Sequence, residues 1–198
     1  MIIGSDTLKR RVILVTDGDI NARRAVEMAT ARVGGRCISR SAGNPTPLSG
    51  EEIIELVKIA KYDPVIVMVD DKGNPNQGQG EQVIEEILKS EEIEVLGVIA
   101  VASNTEGVDG VAVDFSINSK GEKVENAVNK CGTETNSKVL YGDTVDVLNK
   151  YKVPVIVGIG DIGKMNGKDD SKIGAPILTK AIEEILRMNK QGDSNESI

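Results

Sequence analysis

The segment RVILVTDGD, residues Arg11–Asp19, joins an unbroken apolar run to an acidic turn that contains a glycine. A short run of branched aliphatic residues with such an ending favours a β-strand that is buried on both faces. After the turn, apolar residues recur at helical spacing until Gly34-Gly35 stops the pattern. The segment therefore predicts a strand followed by a helix, the first unit of an α/β fold. The apolar positions of that helix are Ala22, Ala25, Val26, Ala29 and Val33.

The same alternation continues along the chain and extends this prediction to a whole domain. Ser49-Gly50-Glu51-Glu52 has the pattern of a capping box, a short helix is expected near 144–151, and Pro176 lies in the first turn of the last helix. Strands without polar alternation need helices on both faces, so we expect a three-layer, doubly wound fold with a mostly parallel sheet. One domain should span residues 1–198, with a disordered tail at 190–198. The further strands are predicted in RCIS, DPVIVMVDD, IEVLGVIAVASN, KVLYGD and VPVIVGI.

One segment, 109–135, departs from this rhythm. VAVDFSI alternates apolar and polar residues with a period of two, Ser119-Lys120-Gly121-Glu122 can form a turn, and KVENAVNK can return as a partner strand. This pattern predicts a small insertion that contains an antiparallel hairpin.

Composition excludes several classes of function. The net charge is −7, and the chain has no Trp, one Phe and three Tyr, so it has neither the positive surface nor the stacking platforms that nucleic-acid binding uses. Histidine is absent, which removes the commonest general base and metal ligand and excludes triads that depend on it. Two distant cysteines without a C-x-x-C arrangement favour reduced thiols over a disulfide framework.

The sequence also predicts how the chain relates to membranes. Its first residues, MIIGSD, become polar too early for a signal peptide, and its best apolar run, VLGVIAVA, is far shorter than the roughly 20 residues of a spanning helix. We therefore expect a soluble protein with no signal peptide or transmembrane segment.

The glycine-rich turn Gly158–Lys164 matches two nucleotide-binding patterns in part. As G-x-x-x-x-G-K it has Met165 where a P-loop needs a hydroxyl for Mg²⁺, and the glycines and proline that follow prevent an immediate helix. As G-x-G-x-x-G it lacks the second strand and the acid about 20 residues on. A sharp turn at a strand end is the favoured interpretation, and we expect no nucleotide or other cofactor.

Polar residues and glycines follow several of the predicted strands. In a parallel sheet these positions share the carboxyl edge, so we expect the first-strand turn and the Gly158–Gly163 turn to flank one binding groove. Two explanations for the acids stay open, because aspartates at such junctions often cap helices, whereas clustered oxygen ligands suit Mg²⁺ or Ca²⁺. The candidate residues are Asp17, Asp19, Asp70, Asp71, Ser103, Asn104, Gly158, Gly160 and Asp161.

Taken in order, several stretches resemble the stage V sporulation protein AE family of endospore-forming bacteria. They are RRVILVTDGD, GGRCISRSAGNPTPLSGEEI, IEVLGVIAVASNT, GDTVDVLNKYKVPVIVGIGDIGKMNGKDD and GAPILTKAIEEIL. The resemblance covers nearly Arg10 to Leu186, with the region 107–137 and both ends of the chain divergent.

This resemblance implies an accessory role in the SpoVA machinery, which moves calcium dipicolinate into the spore and releases it at germination. It implies binding to other SpoVA-group proteins, including the AD protein, and indirect association with the spore inner membrane. It implies no catalytic residues. We therefore expect a binding protein and no enzyme. The alternative is a Mg²⁺-dependent phosphohydrolase or phosphotransferase that uses the strand-end aspartates.

Overall fold

The computed structural model describes residues 8–74 and 77–195. Within these residues the main sheet has seven strands in the order β2-β3-β1-β4-β9-β6-β7, and all neighbours are parallel except the β6–β7 pair. Two further strands, β5 and β8, form a separate antiparallel pair. The strands are β1 (Arg10–Val15), β2 (Arg36–Cys37), β3 (Val65–Met68), β4 (Ile93–Val101), β5 (Val111–Ala112), β6 (Phe115–Ile117), β7 (Lys123–Val124), β8 (Val139–Leu140) and β9 (Ile156–Ile159).

Helices cover both faces of the main sheet, as expected for a doubly wound fold. Helices α1 (Ile20–Arg32) and α4 (Pro176–Asn195) pack together, and α2 (Gly50–Lys58) packs with α3 (Gln79–Lys89). Strand β1 serves both layers: Ile13 and Val15 join the core with α1 and α4, while Val12 and Leu14 join the core with α2 and α3. This two-sided burial explains why the strand is an unbroken apolar run. The predicted three-layer α/β fold is confirmed.

Two sequence features that were predicted to begin helices, the capping box and Pro176, are confirmed. Ser49 and Glu52 form the capping box of α2, each accepting a hydrogen bond from the other's backbone N–H. Pro176 is the first residue of α4. Helix α4 extends into the expected tail as far as Asn195, and residues 196–198 lie outside the described part of the chain.

The segment 109–135 forms the expected hairpin, but the hairpin is part of the main sheet. Ser116 and Ile117 of β6 pair with Val124 and Lys123 of β7, while β6 also runs parallel to β9 and so continues the sheet beyond it. The alternating run VAVDFSI is thus divided between two strands that belong to different sheets.

In the following region one expectation was wrong and the other is confirmed. KVLYGD was expected in the parallel sheet, but its strand β8 pairs with β5 in the antiparallel pair, and its flanking residues are loop. The helix expected near 144–151 is a 3₁₀ helix at Asp146–Lys150. Three further 3₁₀ helices lie within the described residues, at Ser39–Ser41, Met165–Gly167 and Ser171–Ile173.

The connections that leave neighbouring strands go to opposite faces around β1. Strand β1 leads to α1 on one face, whereas its neighbour β3 leads to α3 on the other. Such a change of direction opens a crevice at the carboxyl ends of the strands, the usual ligand position in open α/β sheets.

Candidate functional site

A polar groove of about 150 Å³ lies at the carboxyl ends of the central strands. Strands β1, β3, β4 and β9 all end beside it, because they are parallel neighbours in the sheet. Among the described residues, five carboxylates and two lysines line the groove, which gives it an excess of negative charge. Its lining is Thr16, Asp17, Asp19, Asn44, Asp70, Val101, Ala102, Ser103, Lys130, Asp143, Asp161 and Lys164.

Asp19 links the groove to helix α1. It is the N-cap of α1, and its Oδ1 accepts hydrogen bonds from the backbone N–H groups of Asn21 (2.8 Å) and Ala22 (2.9 Å). Its second oxygen, Oδ2, lies 2.7 Å from the ammonium of Lys164. Asp19 therefore has both a structural role as a helix cap and a place on the groove wall.

The turn between β1 and α1 is closely packed against two neighbouring loops. Gly18 donates its N–H to Asp70 Oδ2 at 3.1 Å. A Cβ at Gly18 would lie only 2.5 Å from the carbonyl oxygen of Gly43, so the turn requires glycine there. The N–H of Asp19 donates to Asp17 Oδ1 at 3.2 Å, which orients the Asp17 carboxyl at the groove.

The glycine-rich turn after β9 carries Lys164 into the groove. Its backbone has positive φ angles at Gly163 (70°) and at Met165 (45°), and such an angle strains a residue other than glycine. The ammonium of Lys164 lies 2.7 Å from Asp19 Oδ2 and 3.0 Å from Asp161 Oδ1. The turn thus holds a lysine against two carboxylates, which ties the end of β9 to the end of β1.

The surroundings raise the pKa of Asp17 and Lys164 and lower the pKa of Asp19. Burial, together with the nearby charge of Asp19, raises the pKa of Asp17 to about 8, although Asp17 accepts one backbone hydrogen bond. Burial also acts to raise the pKa of Asp19, but hydrogen bonds from Lys164 and from the α1 backbone outweigh it and lower that pKa. For Lys164, burial is likewise outweighed, and its two carboxylate partners raise its pKa. Near neutral pH, Asp17 is therefore largely protonated beside a charged Asp19–Lys164 pair.

Asp70 supports the same region from β3. It is 5% exposed and accepts hydrogen bonds from Gly18 N–H and Lys72 N–H. Burial raises its pKa to about 6 despite those two hydrogen bonds. The two backbone donors stabilise its negative charge near neutral pH. The bond from Gly18 also fixes the position of the turn after β1.

Three of the groove carboxylates could share a cation. Asp17, Asp19 and Asp161 each present one oxygen, and these oxygens lie within 4.8 Å of one another. An oxygen-only set suits Mg²⁺ or Ca²⁺. The ammonium of Lys164 already contacts Asp19 and Asp161, so it neutralises part of the charge that a cation would use.

The family comparison matches almost the whole chain. The model of the family described as stage V sporulation protein AE1 matches residues 11–189 of the 198-residue chain. The chain belongs to that family. The resemblance found in the sequence is confirmed, and membership implies a role related to sporulation. Comparisons with curated proteins and with solved structures give no significant match.

Across residues 8–74 and 77–195, no helix of this AE1-family chain combines the length and the apolar character needed to cross a bilayer.

The structure brings together five of the nine candidate residues of this AE1-family protein: Asp17, Asp19, Asp70, Ser103 and Asp161 line the groove. The remaining four lie outside its lining. Asn104 is exposed on the loop after β4. Asp71 instead caps the start of α3, where it accepts from Gly80 N–H at 2.6 Å and Glu81 N–H at 3.2 Å.

The two candidate glycines, Gly158 and Gly160, have packing roles. A Cβ at Gly158 would lie 2.4 Å from the hydroxyl of Ser116 on the neighbouring strand. A Cβ at Gly160 would lie 2.7 Å from the backbone nitrogen of Gly132. Both positions therefore require glycine because other parts of the protein approach the backbone closely.

Several groove residues were not selected from the sequence. Lys130 comes from the segment after the hairpin, and its ammonium lies 3.5 Å from Asp161 Oδ2. Asp143 comes from the loop after β8 and accepts a hydrogen bond from Gly73 N–H. Each ends a segment that the sequence analysis read as a strand, Lys130 in KVENAVNK and Asp143 in KVLYGD, but neither was counted among the residues that follow the parallel strands. Lys164 could have been selected, because it lies within the glycine-rich turn itself.

Proposed function

We propose that this protein is a binding component of the calcium dipicolinate machinery of the spore, acting in sporulation and germination through partner proteins. The family match over residues 11–189 carries the proposal, because the resembled family belongs to the SpoVA group. Its partners are other SpoVA-group proteins, including the AD protein. It reaches the inner membrane of the spore through them.

The groove is the proposed contact region for a partner. Within the described structure, five carboxyl groups and two lysines line the groove. Because its raised pKa keeps Asp17 largely protonated near neutral pH, four carboxylates remain against two lysines, and this charge favours basic side chains on the partner. Complementary charge of this kind directs association and excludes partners of the wrong sign. Asp161 and Asp143 suit this role, because they come from separate loops on the groove wall.

Several features support binding over catalysis. The chain contains no histidine, so a general base would have to be a carboxylate or lysine. Asp17 is largely protonated near neutral pH because of its raised pKa, which weakens it as a nucleophile. Lys164 has a raised pKa and remains charged, so it cannot accept a proton.

A second candidate function rests on the three clustered carboxylates. The arrangement of Asp17, Asp19 and Asp161 favours a Mg²⁺-dependent phosphohydrolase or phosphotransferase, because such enzymes hold the cation with carboxylate oxygens. Hydrolysis of p-nitrophenyl phosphate by the pure protein with Mg²⁺, lost in Asp161→Asn, would favour this function. No hydrolysis above the rate of the variant would eliminate it for generic phosphomonoesters.

Affinity purification from sporulating cells tests the binding proposal. The tagged protein replaces the chromosomal copy and is compared with Asp143→Asn/Asp161→Asn, which removes two charges from the groove. Asp109→Asn/Glu183→Gln is the control, because it removes two exposed charges elsewhere. We expect SpoVA-group proteins with the wild type and the control, and at least a fivefold loss with the groove variant. Equal recovery with all three proteins would contradict the groove, and absence of SpoVA-group proteins from all three would contradict the proposed function.

A further inference from the structure

A second surface, which shares no lining residue with the groove, lies along helix α2 and the edge strand β2. It contains two cavities of about 430 and 440 Å³, which share Arg40, Leu56 and Ile59 and are therefore adjacent. Strand β2 is at the end of the main sheet, where it pairs only with β3. We call this region the β2–α2 surface.

The β2–α2 surface exposes large apolar side chains, which lie beside Arg40 at its centre and extend to Tyr62 in the first cavity. Ile59 is 75% exposed and Tyr62 is 60% exposed, and half-buried Leu56 lies with Ile59 in both cavities. Large apolar side chains that cluster with this exposure are typical of association sites.

The two ends of the surface carry opposite charges. Arg36 and Lys61 line the first cavity, whereas Glu51 and Glu55 line the second. Arg40 lies between them and contributes to both cavities. The order along the surface is therefore basic end, apolar centre next to Arg40, and acidic end.

We propose that a second copy of this chain docks on the β2–α2 surface, forming a dimer with two-fold symmetry. A two-fold axis through the shared apolar centre places the basic end of one copy against the acidic end of the other. The same contact is then made twice, which is the self-complementarity that a symmetric dimer requires. A surface of a single charge sign could not pair with itself in this way.

This inference goes beyond the proposed function and does not depend on it. The groove and the β2–α2 surface have no lining residue in common, so variants of one surface leave the residues of the other unchanged. A failure of one proposal therefore does not affect the other.

Sedimentation equilibrium of the full chain over a range of concentrations tests the dimer. We expect a monomer–dimer equilibrium in the wild type. Arg36→Glu/Lys61→Glu should weaken dimerisation by at least about tenfold, because it places like charges across the interface. Glu51→Lys/Glu55→Lys should weaken it similarly, and Ile59→Ser should do so by removing the apolar centre.

Recombining the charges provides the decisive comparison. The variant with all four charge reversals should dimerise again, and an equimolar mixture of the two double variants should form heterodimers. Glu91→Lys/Glu183→Lys, with two exposed charges reversed elsewhere, should dimerise like the wild type. A wild type that stays monomeric throughout, or a dimer that none of the surface variants weakens, would overturn the proposal. So would four reversals that fold, by circular dichroism, but do not dimerise.

Discussion

Aspartates occupy two kinds of position in this fold, and their partners differ. At the start of α4, Asp169 is fully buried and accepts hydrogen bonds from the N–H groups of Ile177 (2.8 Å) and Leu178 (3.1 Å). In the groove, Asp161 contacts the ammonium groups of Lys164 and Lys130 instead. A backbone donor at a helix start cannot leave its cap without unfolding, whereas a lysine side chain can exchange partners. The difference separates carboxylates that stabilise the fold from carboxylates whose contacts can be exchanged.

The largest expected loss of stability comes from removing the cap of α4. Asp169→Ala should lower the free energy of unfolding by about 3 kcal/mol, because two backbone N–H groups lose their acceptor in a buried site. Urea unfolding at pH 7 measures this change. The neighbouring Asp170→Ala, which removes a hydrogen bond to Lys172 N–H on a more exposed turn, should cost less than about 1 kcal/mol. Equal losses in the two variants would remove the distinction between buried cap and surface turn.

The next largest change is a gain in the free energy of unfolding when Asp17 is replaced. Its pKa is about 8 in the folded chain and 3.8 in the unfolded chain, so the folded chain holds this proton more tightly. Stability therefore falls as the pH rises from about 4 to 8. Asp17→Asn should remove this dependence and stabilise the fold at pH 7 by on the order of 2 kcal/mol, since Asp17 is only half-buried and solvent reduces the full effect.

Urea unfolding of the wild type and Asp17→Asn between pH 5 and 8 measures both parts of this prediction. The difference between the two proteins should grow with pH. A variant that is less stable than the wild type at pH 7 would mean that the ionised carboxyl of Asp17 supports the fold.

The sequence predicted the fold better than it predicted the site, for a physical reason. Unbroken apolar runs such as Val12–Val15 are needed wherever both faces of a strand are covered, so local sequence contains the burial pattern. The expectation that residues after parallel strands share one edge of the sheet also selected Asp17, Asp70 and Asp161, which all line the groove. It could not separate Asp71 from them, because an aspartate that caps a helix and one that lines a groove follow a strand in the same way.

The remaining groove residues depend on tertiary structure. Lys130 reaches Asp161 only because β6 pairs with β9, a contact between segments about 40 residues apart in sequence. The same pairing explains why the hairpin extends the sheet when local alternation predicted an insertion. Side chains that converge through such long-range pairing leave no local pattern to detect.

A smaller loss of stability is expected when the lysine of the groove is removed. Lys164→Met should destabilise the fold by about 1 kcal/mol at pH 7, because the ion pairs with Asp19 and Asp161 are only partly shielded from solvent. Added salt should reduce the difference between variant and wild type. The exposed Lys152→Met serves as the control and should have no effect. A loss above about 3 kcal/mol would mean that Lys164, like the cap Asp169, is required for the stability of the fold.

No effect is expected from nucleotides. The glycine-rich turn holds Lys164 against carboxylates and has Met165 in place of a hydroxyl, so it offers no phosphate or Mg²⁺ site of the P-loop kind. The midpoint of thermal unfolding, measured with ATP, GTP or NAD and Mg²⁺, should equal that of the protein alone. A bound ligand at 100 times its Kd would stabilise the fold by about 2.7 kcal/mol, and a shift of that size would contradict this account of the turn.

Dipicolinate in spores tests the central claim, that Asp143 and Asp161 of the groove serve function and the buried cap Asp169 serves the fold. Spores carrying Asp143→Asn/Asp161→Asn as the only copy are compared with the wild type and with Asp109→Asn/Glu183→Gln, at equal protein levels. We predict that the groove variant lowers the dipicolinate content, or slows its release at germination, by at least about threefold, and that the control does neither. Spores of the groove variant with wild-type content and wild-type release would contradict the claim.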